Sequence, residues 1–234
     1  YFSPMQLFYC PELLNDATFL SNEESSHCFK VLRMRVGDHI HLIDGVGGFY
    51  EAEITIASQK KVIFNVIKKW NQAKKPYSLH IAIAPTKNND RFEWFLEKVT
   101  EIGIDEVTPL ICDHSERKII KNERLEKIIL SAAKQSLKSK LPKLNKVTSF
   151  KDFMDKTHSI HSFIAHCLPC KKKTLKNVVN SDSTILIGPE GDFSILEVEL
   201  ALKNNFIPVS LGHSRLRTET AGVIACHTIA LNHE

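Results

Sequence analysis

Two stretches near the carboxyl end, TILIGPEGDFS from Thr184 and VSLGHSRLRTETAG from Val209, decide how the chain folds. Each begins as a short apolar run, passes into a turn that contains glycine, and is followed by a segment with helical periodicity. In an open parallel sheet, ligands bind beyond the carboxyl ends of the strands, which is where both turns would lie. The two stretches therefore predict a ligand site made of main-chain loops in an α/β domain.

The rest of the carboxyl half repeats the same alternation. The apolar runs LHIAIA, VTPLIC and SFIAHC are separated by helical segments, which predicts a parallel sheet with helices on both faces over residues 78–234. One helix is predicted to begin with Asp90 and Glu93 in capping-box register and to end at Gly103. A longer helix is predicted from about Asn122 to Lys140, ended by Pro142. Its buried face would consist of Leu125, Ile128, Ile129, Ala132 and Leu137.

Residues 5–70 show a different pattern, of short strand-like runs: QLFYC, ATFL, DHIHLID, GFYEAEITIAS and KVIFNVIKKW. The glycines of DGVGG indicate a hairpin between two of these runs. One helix interrupts them, with Ser21 and Glu24 in capping-box spacing, and continues through HCFKVLRM. The pattern predicts a small β-barrel or sandwich, joined by the polar link NQAKKPYS to the α/β domain.

Composition is that of an ordinary globular protein, with 43% hydrophobic and 25% charged residues in 234. No apolar run approaches the roughly 18 to 20 residues of a membrane span, so a cytoplasmic protein is expected. The six cysteines are scattered, as reduced and mostly buried thiols are. CLPC (Cys167 and Cys170) lacks a second cysteine pair, and the histidines of HSIHSFIAH (His158, His161 and His166) lack a carboxylate pair, so we expect no metal site.

The net charge of +4 is modest, but the lysines are clustered. The clusters are IKKWNQAKK, KQSLKSKLPKLNK and CKKKTLK. Such clusters are suited to the phosphate backbone of a nucleic acid, whereas any one of them taken alone is more often a solvated face. Both interpretations stay open at this point.

The two glycine turns have features suited to a ligand. Gly188, Gly191 and Gly212 permit positive φ and close backbone approach, and Pro189 fixes the first turn. Ser194 and Glu197 would cap the helix that follows it, and Thr218 would cap the last helix. Arg217 is thereby expected at a helix entrance, facing the crevice. The alternative is that both are ordinary strand-to-helix turns, in which glycine is common.

These motifs carry a resemblance. LIGPEGDFS and SLGHSRLRTETAG look like the two signature loops of the SPOUT methyltransferases, whose fold is a trefoil knot. DRFEWFLEKVTEIGIDEVTPL, SERK and AAKQSLKSKLP follow in the order found in the bacterial family that methylates N3 of a uridine in 16S ribosomal RNA. The amino-terminal strands, with HCFKVLRMRVGDHI, resemble the PUA-like RNA-binding domain of that family. The resemblance covers the chain from Met5 to its end.

The resemblance implies a cofactor, a partner and an assembly. S-adenosylmethionine would lie in the knot, held mostly by backbone groups. The implied cofactor contacts are Leu186, Ile187, Gly188, Pro189, Glu190, Gly191, Leu211, Gly212, Leu216, Arg217 and Thr218. The partner would be 16S ribosomal RNA in the assembled small subunit. The family is homodimeric with sites at the interface, and the last helix, over 218–231, is our candidate for it because Ala221, Ile224, Ala225 and Ile229 form an apolar stripe.

The chemistry implied for uracil suggests roles for three residues. N3 must lose its proton as the methyl group arrives, so the base must be unpaired or flipped out and its anion must be stabilised. Arg217 is the expected cation, while Glu190 and Glu219 would accept the proton or orient Arg217. A structural role at a helix end is about as good an explanation of the two acids.

The implied RNA contacts are Arg33, Arg35, Arg91, Gln135, Ser136, Lys138 and Lys140. The chain departs from the family at Lys134, where a glutamate is usual, and at Lys138, where an arginine is usual. A lysine replaces an arginine well at a phosphate but not at a base edge read by two hydrogen bonds. Two other functions stay open: a SPOUT enzyme that methylates a ribose hydroxyl or a tRNA base, and a non-catalytic RNA-binding module.

Overall fold

The computed structural model describes residues 6–156, 161–179 and 181–233. These form two compact units. The first comprises the chain up to Lys74 together with Leu130–Leu141, and the second comprises Lys75–Ile129 and the chain from Pro142 onward. His158 and the terminal residues 5 and 234 of the two predicted domains lie outside the described residues.

The first unit contains a four-stranded sheet in the order β1–β2–β3–β4. Its elements are β1 (Leu7–Tyr9), α1 (Asn22–Ser26), β2 (His39–Ile43), β3 (Gly48–Ala57) and β4 (Val62–Asn71). The chain after β1 returns to the opposite edge strand, where Leu20 N donates to Val62 O and Phe64 N donates to Thr18 O. This segment therefore contacts the far edge of the sheet and curves it toward a small barrel, although ATFL forms only a bridge at Phe19 and not a strand.

Helix α1 begins as predicted, because the Ser21 hydroxyl accepts a hydrogen bond from Glu24 N. The second half of the predicted capping box does not form. The Glu24 carboxylate instead accepts from Tyr9 N at 3.2 Å and from Lys134 Nζ at 2.7 and 3.0 Å. The helix continues as a π turn over His27–Val31 and ends before Arg33, whose φ of 57° is left-handed.

The second unit is the predicted parallel sheet. Its strands are β5 (Leu79–Ile83), β6 (Glu106–Ile111), β7 (Lys143–Leu144), β8 (Thr148–Ser149), β9 (His161–Ala165), β10 (Lys173–Thr174), β11 (Ser183–Ile187) and β12 (Ile207–Ser210). Its helices are α2 (Asn89–Ile102), α3 (Asn122–Gln135), α4 (Phe150–Met154), α5 (Ile195–Lys203) and α6 (Thr218–Leu231), of which α3 runs on into the first unit. The strand order is β10–β12–β9–β11–β5–β6–β7, β8 also pairs with β6, and every pairing is parallel. This confirms the predicted α/β class.

Both faces of the sheet are covered, and each has its own core. Alternate residues such as Ile81 and Ile83 belong to one core with Phe95 of α2 and Ile229 of α6, while Leu186 belongs to the other. The helices α2 and α6 pack very closely at Gly222. A Cβ atom there would lie 2.4 Å from Cε2 of Phe95, so only glycine fits.

The path of the chain between β9 and β11 is unusual. It runs outward past β12 to form β10 and returns through a 3-10 turn, Leu175–Asn177, that contacts α6. Asn232, just after α6, donates its side-chain amide to Lys176 O. Helix α6 therefore lies under this connection, which matches the threaded path expected for a trefoil knot.

Helix α2 ends at Gly103 as predicted, with φ of 115°, but it begins earlier than predicted. Asn88 is the cap, since its side-chain oxygen accepts from Asp90 N at 3.0 Å. The predicted capping box of Asp90 and Glu93 is wrong, because Glu93 instead pairs with Arg124 at 2.6 Å.

Helix α3 ends at Gln135, five residues before the predicted end, and Pro142 does not terminate it. Leu137 takes a left-handed conformation with φ of 55°, and Lys138 N donates back to Ala133 O. This is a Schellman ending formed without glycine. Leu125, Ile129 and Ala132 are buried as predicted and Ile128 is partly buried, but Leu137 is 45% exposed.

The apolar stripe predicted on α6 as a dimer face is wrong in part. Ala225 and Ile229 are fully buried in the core of their own unit. They pack there because α6 lies against α2 and β5. Ala221 and Ile224 are half-buried and remain partly accessible.

Candidate functional site

The two glycine loops follow the carboxyl ends of β11 and β12, which lie on either side of β9 in the sheet. The hydroxyl of Thr218 donates to Gly188 O at 3.1 Å, and this bond is buried. Thr218 was predicted to cap α6, but it is the first residue of that helix. Arg217 occupies the cap position, without a side-chain capping bond. Thr218 uses its hydroxyl to tie one loop to the other.

Glu190 is exposed at the tip of the first loop, and the chain after β5 holds it there. Lys87 N donates to Glu190 Oε1 at 3.0 Å. Arg117 in turn donates to the carbonyl oxygens of Thr86 and Lys87, the shortest of these bonds being 2.6 Å. The connection from β5 to α2 thus forms a third wall of the site.

Neither Gly188 nor Gly191 uses a positive φ; in this loop the left-handed residue is Asp192, with φ of 64°. Close approach explains both glycines. A Cβ at Gly188 would lie 3.1 Å from the Phe193 ring, and one at Gly191 would lie 3.1 Å from Cβ of His114. His114 Nδ1 lies 3.1 Å from Gly191 O and 3.0 Å from Asp192 O. Both partners are acceptors, so this nitrogen carries the proton.

The second loop is where positive φ is required. Gly212 has φ of 134°, and its N–H donates to the Ser210 hydroxyl, which donates to Gly212 O. A Cβ at Gly212 would meet no described atom within 4 Å. Backbone conformation alone therefore accounts for this glycine. Leu216 is half-buried beside the loop, and Arg217 is exposed.

A buried acid lies two residues after Arg217. Glu219 is only 6% exposed, with Oε1 3.8 Å from Nε of Arg91 on α2. Its Oε2 is buried and has no hydrogen-bond partner among the residues that the structure describes. Arg91, predicted as an RNA contact, thus lies beside the glycine loops, where Glu219 constrains its guanidinium.

The other predicted RNA contacts fall in the first unit. Arg33 and Arg35 are exposed on the segment after α1, and Arg35 lies over the Phe29 ring at 5.1 Å. At the end of α3, Gln135 and Lys140 are exposed and Lys138 is half-buried. Ser136 donates its hydroxyl to Ala132 O at 2.7 Å.

Lys134, expected to be a departure from the family pattern, is an internal partner and not a surface charge. It forms an ion pair with Glu24 and lies 5.9 Å from the centre of the Phe8 ring. This lysine therefore has an acidic partner of its own within the first unit.

Three residues of this site were not predicted: Lys87, His114 and Arg117. Arg117 belongs to the SERK motif quoted above but was given no role there. For the other two the only signal was position, since His114 follows the carboxyl end of β6 and Lys87 follows that of β5. Polar residues at the carboxyl ends of parallel strands lie near the ligand crevice.

All six cysteines are free, and the two of CLPC are exposed. Burial raises the pKa of Cys10 and of Cys28 to about 11, so neither is a thiolate at neutral pH. Burial lowers the pKa of His166, which lies 3.7 Å from Cys170 Sγ. Within 6–156, 161–179 and 181–233, no group of three or more metal-ligating side chains comes together. None of the helices in these ranges is both long and apolar enough to span a bilayer.

Comparison with known proteins gives two matching family models. An RNA methyltransferase domain matches residues 73–230, and an RNA methyltransferase PUA domain matches residues 20–67. The ribosomal RNA small subunit methyltransferase E of Rickettsia conorii is 30% identical over 225 residues, which are 93% of this chain and 91% of that protein.

Solved structures agree. A protein from Porphyromonas gingivalis described as a probable rRNA-methyltransferase has a TM-score of 0.92 and 42% identity, with 98% of both chains covered. The ribosomal RNA small subunit methyltransferase E of Neisseria gonorrhoeae, solved with S-adenosylmethionine, has a TM-score of 0.84 and 25% identity over 95% of both chains. With its paired glycine loops and its amino-terminal PUA domain, this chain belongs to the ribosomal RNA small subunit methyltransferase E family of RNA methyltransferases.

Proposed function

We propose that the protein transfers a methyl group from S-adenosylmethionine to N3 of a uridine in 16S ribosomal RNA, within the small subunit and in the cytoplasm. One observation carries the proposal. The Thr218–Gly188 hydrogen bond joins the two glycine loops at the end of the sheet and fixes Arg217 at their rim.

The two loops suit the proposed cofactor. Gly212 needs glycine only for its backbone conformation, and the open space beside its Cα suits the close approach of an adenine. Hydrogen bonds to main-chain groups would hold the cofactor, because no acidic side chain is expected to bind its ribose hydroxyls. The residues assigned to this role are Leu186, Ile187, Gly188, Pro189, Glu190, Gly191, Leu211, Gly212, Leu216, Arg217 and Thr218. The bound cofactor would supply an electrophilic methyl group.

Two charged residues would act on the base, and a third would act only through Arg91. Arg217, exposed at the helix entrance, would stabilise the negative charge that develops on uracil as the N3 proton leaves. Glu190 would accept that proton, because it is exposed and Lys87 N–H holds one of its oxygens. Glu219 is too deeply buried for this task and would instead position Arg91.

The product nucleoside tests the reaction. After incubation with small subunits and labelled cofactor, digestion and mass spectrometry should give 3-methyluridine. A 2′-O-methylated nucleoside or a methylated guanine would contradict the proposed target atom. Calorimetric titration with S-adenosylmethionine tests the pocket separately, because a non-catalytic RNA-binding module would give no heat of binding.

The end of α3 offers a test of RNA contact. If Lys138 and Lys140 neutralise phosphates, replacing both with alanine should weaken RNA binding and reduce the log–log salt slope by roughly 0.7 to 0.9 for each lost contact. Binding of a labelled 16S fragment at several salt concentrations measures this slope.

Lys127→Ala is the matched control, since Lys127 is an exposed lysine on α3 itself, outside the lysine cluster that follows the helix. An unchanged salt slope in the double variant would mean that both lysines are solvated surface charges that do not contact phosphates.

A homodimer is part of the proposal. The accessible outer face of α6 holds Ile224 and Leu231, the latter 56% exposed. On the neighbouring α2, Trp94 is 41% exposed and lies one turn after Arg91, which reaches α6 at Glu219. The exposed apolar residues of α6 and α2 could pack against the same residues of a second copy, as in an isologous interface.

Ile224→Glu should convert the dimer to a monomer of 26.6 kDa, because the interface would have to bury an unpaired charge. Light scattering after size exclusion measures the mass. Leu196→Glu is the control, since Leu196 is 74% exposed on α5 and away from α6. If Ile224→Glu stays dimeric and folded, the interface lies elsewhere.

A further inference from the structure

The end of the sheet opposite the glycine loops has an unusual composition. On the face toward α4, four register partners at the amino ends of β9, β11, β5 and β6 are all polar: Ser162, Thr184, His80 and Glu106. Ser162 and Thr184 are each only 3% exposed. Strands buried on both faces normally read as continuous apolar runs. One layer further along, the same face is apolar at Ile164, Leu186 and Ala82.

This polar row is hydrogen-bonded into a fixed arrangement. His80 Nε2 lies 2.7 Å from the Thr108 hydroxyl, and the Asn145 amide donates to that hydroxyl at 2.7 Å and to Glu106 Oε1 at 2.6 Å. Burial alone would raise the pKa of Glu106, but the Asn145 hydrogen bond and the charges of His80 and Lys143 hold it below its usual value. Glu106 therefore stays ionised and is matched by Lys143 at 3.1 Å.

A cavity of about 440 Å³ opens over this row. Its lining is Ser78, His80, Glu106, Thr108, Lys143, Asn145, Lys146, Thr148, Phe153, Lys156, Ser183 and Thr184. The volume falls within the roughly 300 to 1,000 Å³ of small-molecule sites, but the walls are mostly hydroxyl, amide and charged groups. Three lysines against one glutamate leave the lining positive overall. Lys143, Lys146 and Lys156 are all exposed and so stand at the mouth.

We propose that this cavity binds a ribose phosphate, either as a free nucleotide or as one nucleotide of an RNA strand. Each hydroxyl oxygen of the floor has two acceptor lone pairs, so it can accept from a sugar hydroxyl in addition to its bonds within the row, and Lys146 and Lys156 suit a phosphate. Phe153 is 2% exposed and presents no face on which a base can stack. The site would therefore contact the sugar and the phosphate, and the base would lie outside it.

The test uses the full chain and calorimetric titration. Ribose 5-phosphate and uridine 5′-monophosphate are expected to bind with similar affinity, and uridine, which lacks the phosphate, at least about tenfold more weakly. Lys146→Glu with Lys156→Glu should weaken both phosphorylated probes by about tenfold or more, because two favourable charges become repulsive. S-adenosylmethionine affinity should not change, since the glycine loops lie at the other end of the strands.

A control and a second variant keep the test decisive. Lys127→Glu with Lys203→Glu makes the same charge change at exposed lysines outside the cavity and should leave both affinities intact. Thr184→Val removes a floor hydroxyl without changing charge and should weaken ribose 5-phosphate but not inorganic phosphate. No saturable binding of ribose 5-phosphate, or equal losses in the cavity and control variants, would overturn the proposal.

A short single-stranded RNA distinguishes the two sources of the ligand. If the site takes an RNA strand, pentauridylate should bind at least about tenfold more tightly than the mononucleotide, with the same sensitivity to the lysine variants. If the site takes a free nucleotide, pentauridylate should bind no more tightly than the mononucleotide. RNA binding that ignores the cavity variants, together with no mononucleotide binding, contradicts both.

Discussion

Replacing Arg217 with alanine is expected to slow methyl transfer by about a hundredfold or more while cofactor affinity changes little. Arg217 occupies the cap position of α6, so its backbone is fixed by the helix, and its side chain is exposed at the rim of the loops. An interaction with charge that develops only in the transition state lowers the barrier without contributing to ground-state binding. Single-turnover kinetics with saturating RNA and cofactor isolate this step.

Two further variants sharpen the result. Arg217→Lys should recover only part of the rate, because an ammonium group lacks the planar fork of a guanidinium. Arg215→Ala is the matched control, since Arg215 is an exposed arginine two residues earlier in the same loop. A near-normal rate for the Arg217→Ala protein, with fold and assembly intact, would make Arg217 a structural residue and place the cation elsewhere.

The second large effect is expected at Gly212. Its φ of 134° lies in a region that a residue with a Cβ adopts only at a cost of about 1–3 kcal/mol, so Gly212→Val should change the path of the loop. Because the cofactor would be held by main-chain groups of this loop, its affinity should fall by about a hundredfold or more. Calorimetric titration with S-adenosylmethionine measures the loss.

Gly47 provides a close control for that strain. It has φ of 121°, and a Cβ there would also meet no atom of the described residues within 4 Å, but it lies in the amino-terminal hairpin. Gly47→Val should therefore lower the melting temperature to a similar extent and leave cofactor affinity unchanged. Equal affinity in the Gly212→Val protein and the wild type would remove this loop from the cofactor site.

The main strands could be read from the sequence because each is an apolar run bounded by turn residues. The runs LHIAIA, VTPLIC, SFIAHC, TILIG and IPVSLG became β5, β6, β9, β11 and β12. The order of these strands was not readable, since the placement of β11 between β9 and β5 depends on contacts between distant residues. The short strands β7, β8 and β10, of two residues each, carry no periodic signal.

Helix ends were predicted unevenly, for a physical reason. Ser194 and Glu197 form the predicted capping box, because both partners lie within one turn. Asp113 bonds to both side chains as well, but it uses the other Glu197 oxygen and the Ser194 hydroxyl hydrogen, so the box stays intact. The carboxylates of Glu24 and Glu93 instead form ion pairs with Lys134 and Arg124, which are distant in sequence. A local rule cannot anticipate such partners.

The candidate site was predicted in outline but not in its connections. The loops at Gly188 and Gly212 lie at the expected edge of the sheet, and Arg217 is at the helix entrance. The bond between Thr218 and Gly188 O was not predicted, because the capping preference of threonine suggested a different use for the same hydroxyl.

The amino-terminal unit is not continuous in sequence, and this limits how it can be exchanged. Residues 130–141 supply Lys134 to the carboxylate of Glu24 and Ser139 to the side chain of Gln72, and the backbone of Leu141 bonds to Gly45 O. A chimera that takes only residues up to Lys74 from a relative without an acid at the position of Glu24 would leave Lys134 without its counter-charge. A graft of the amino-terminal unit must therefore transplant two separate segments together, so that Glu24 and Lys134 stay paired.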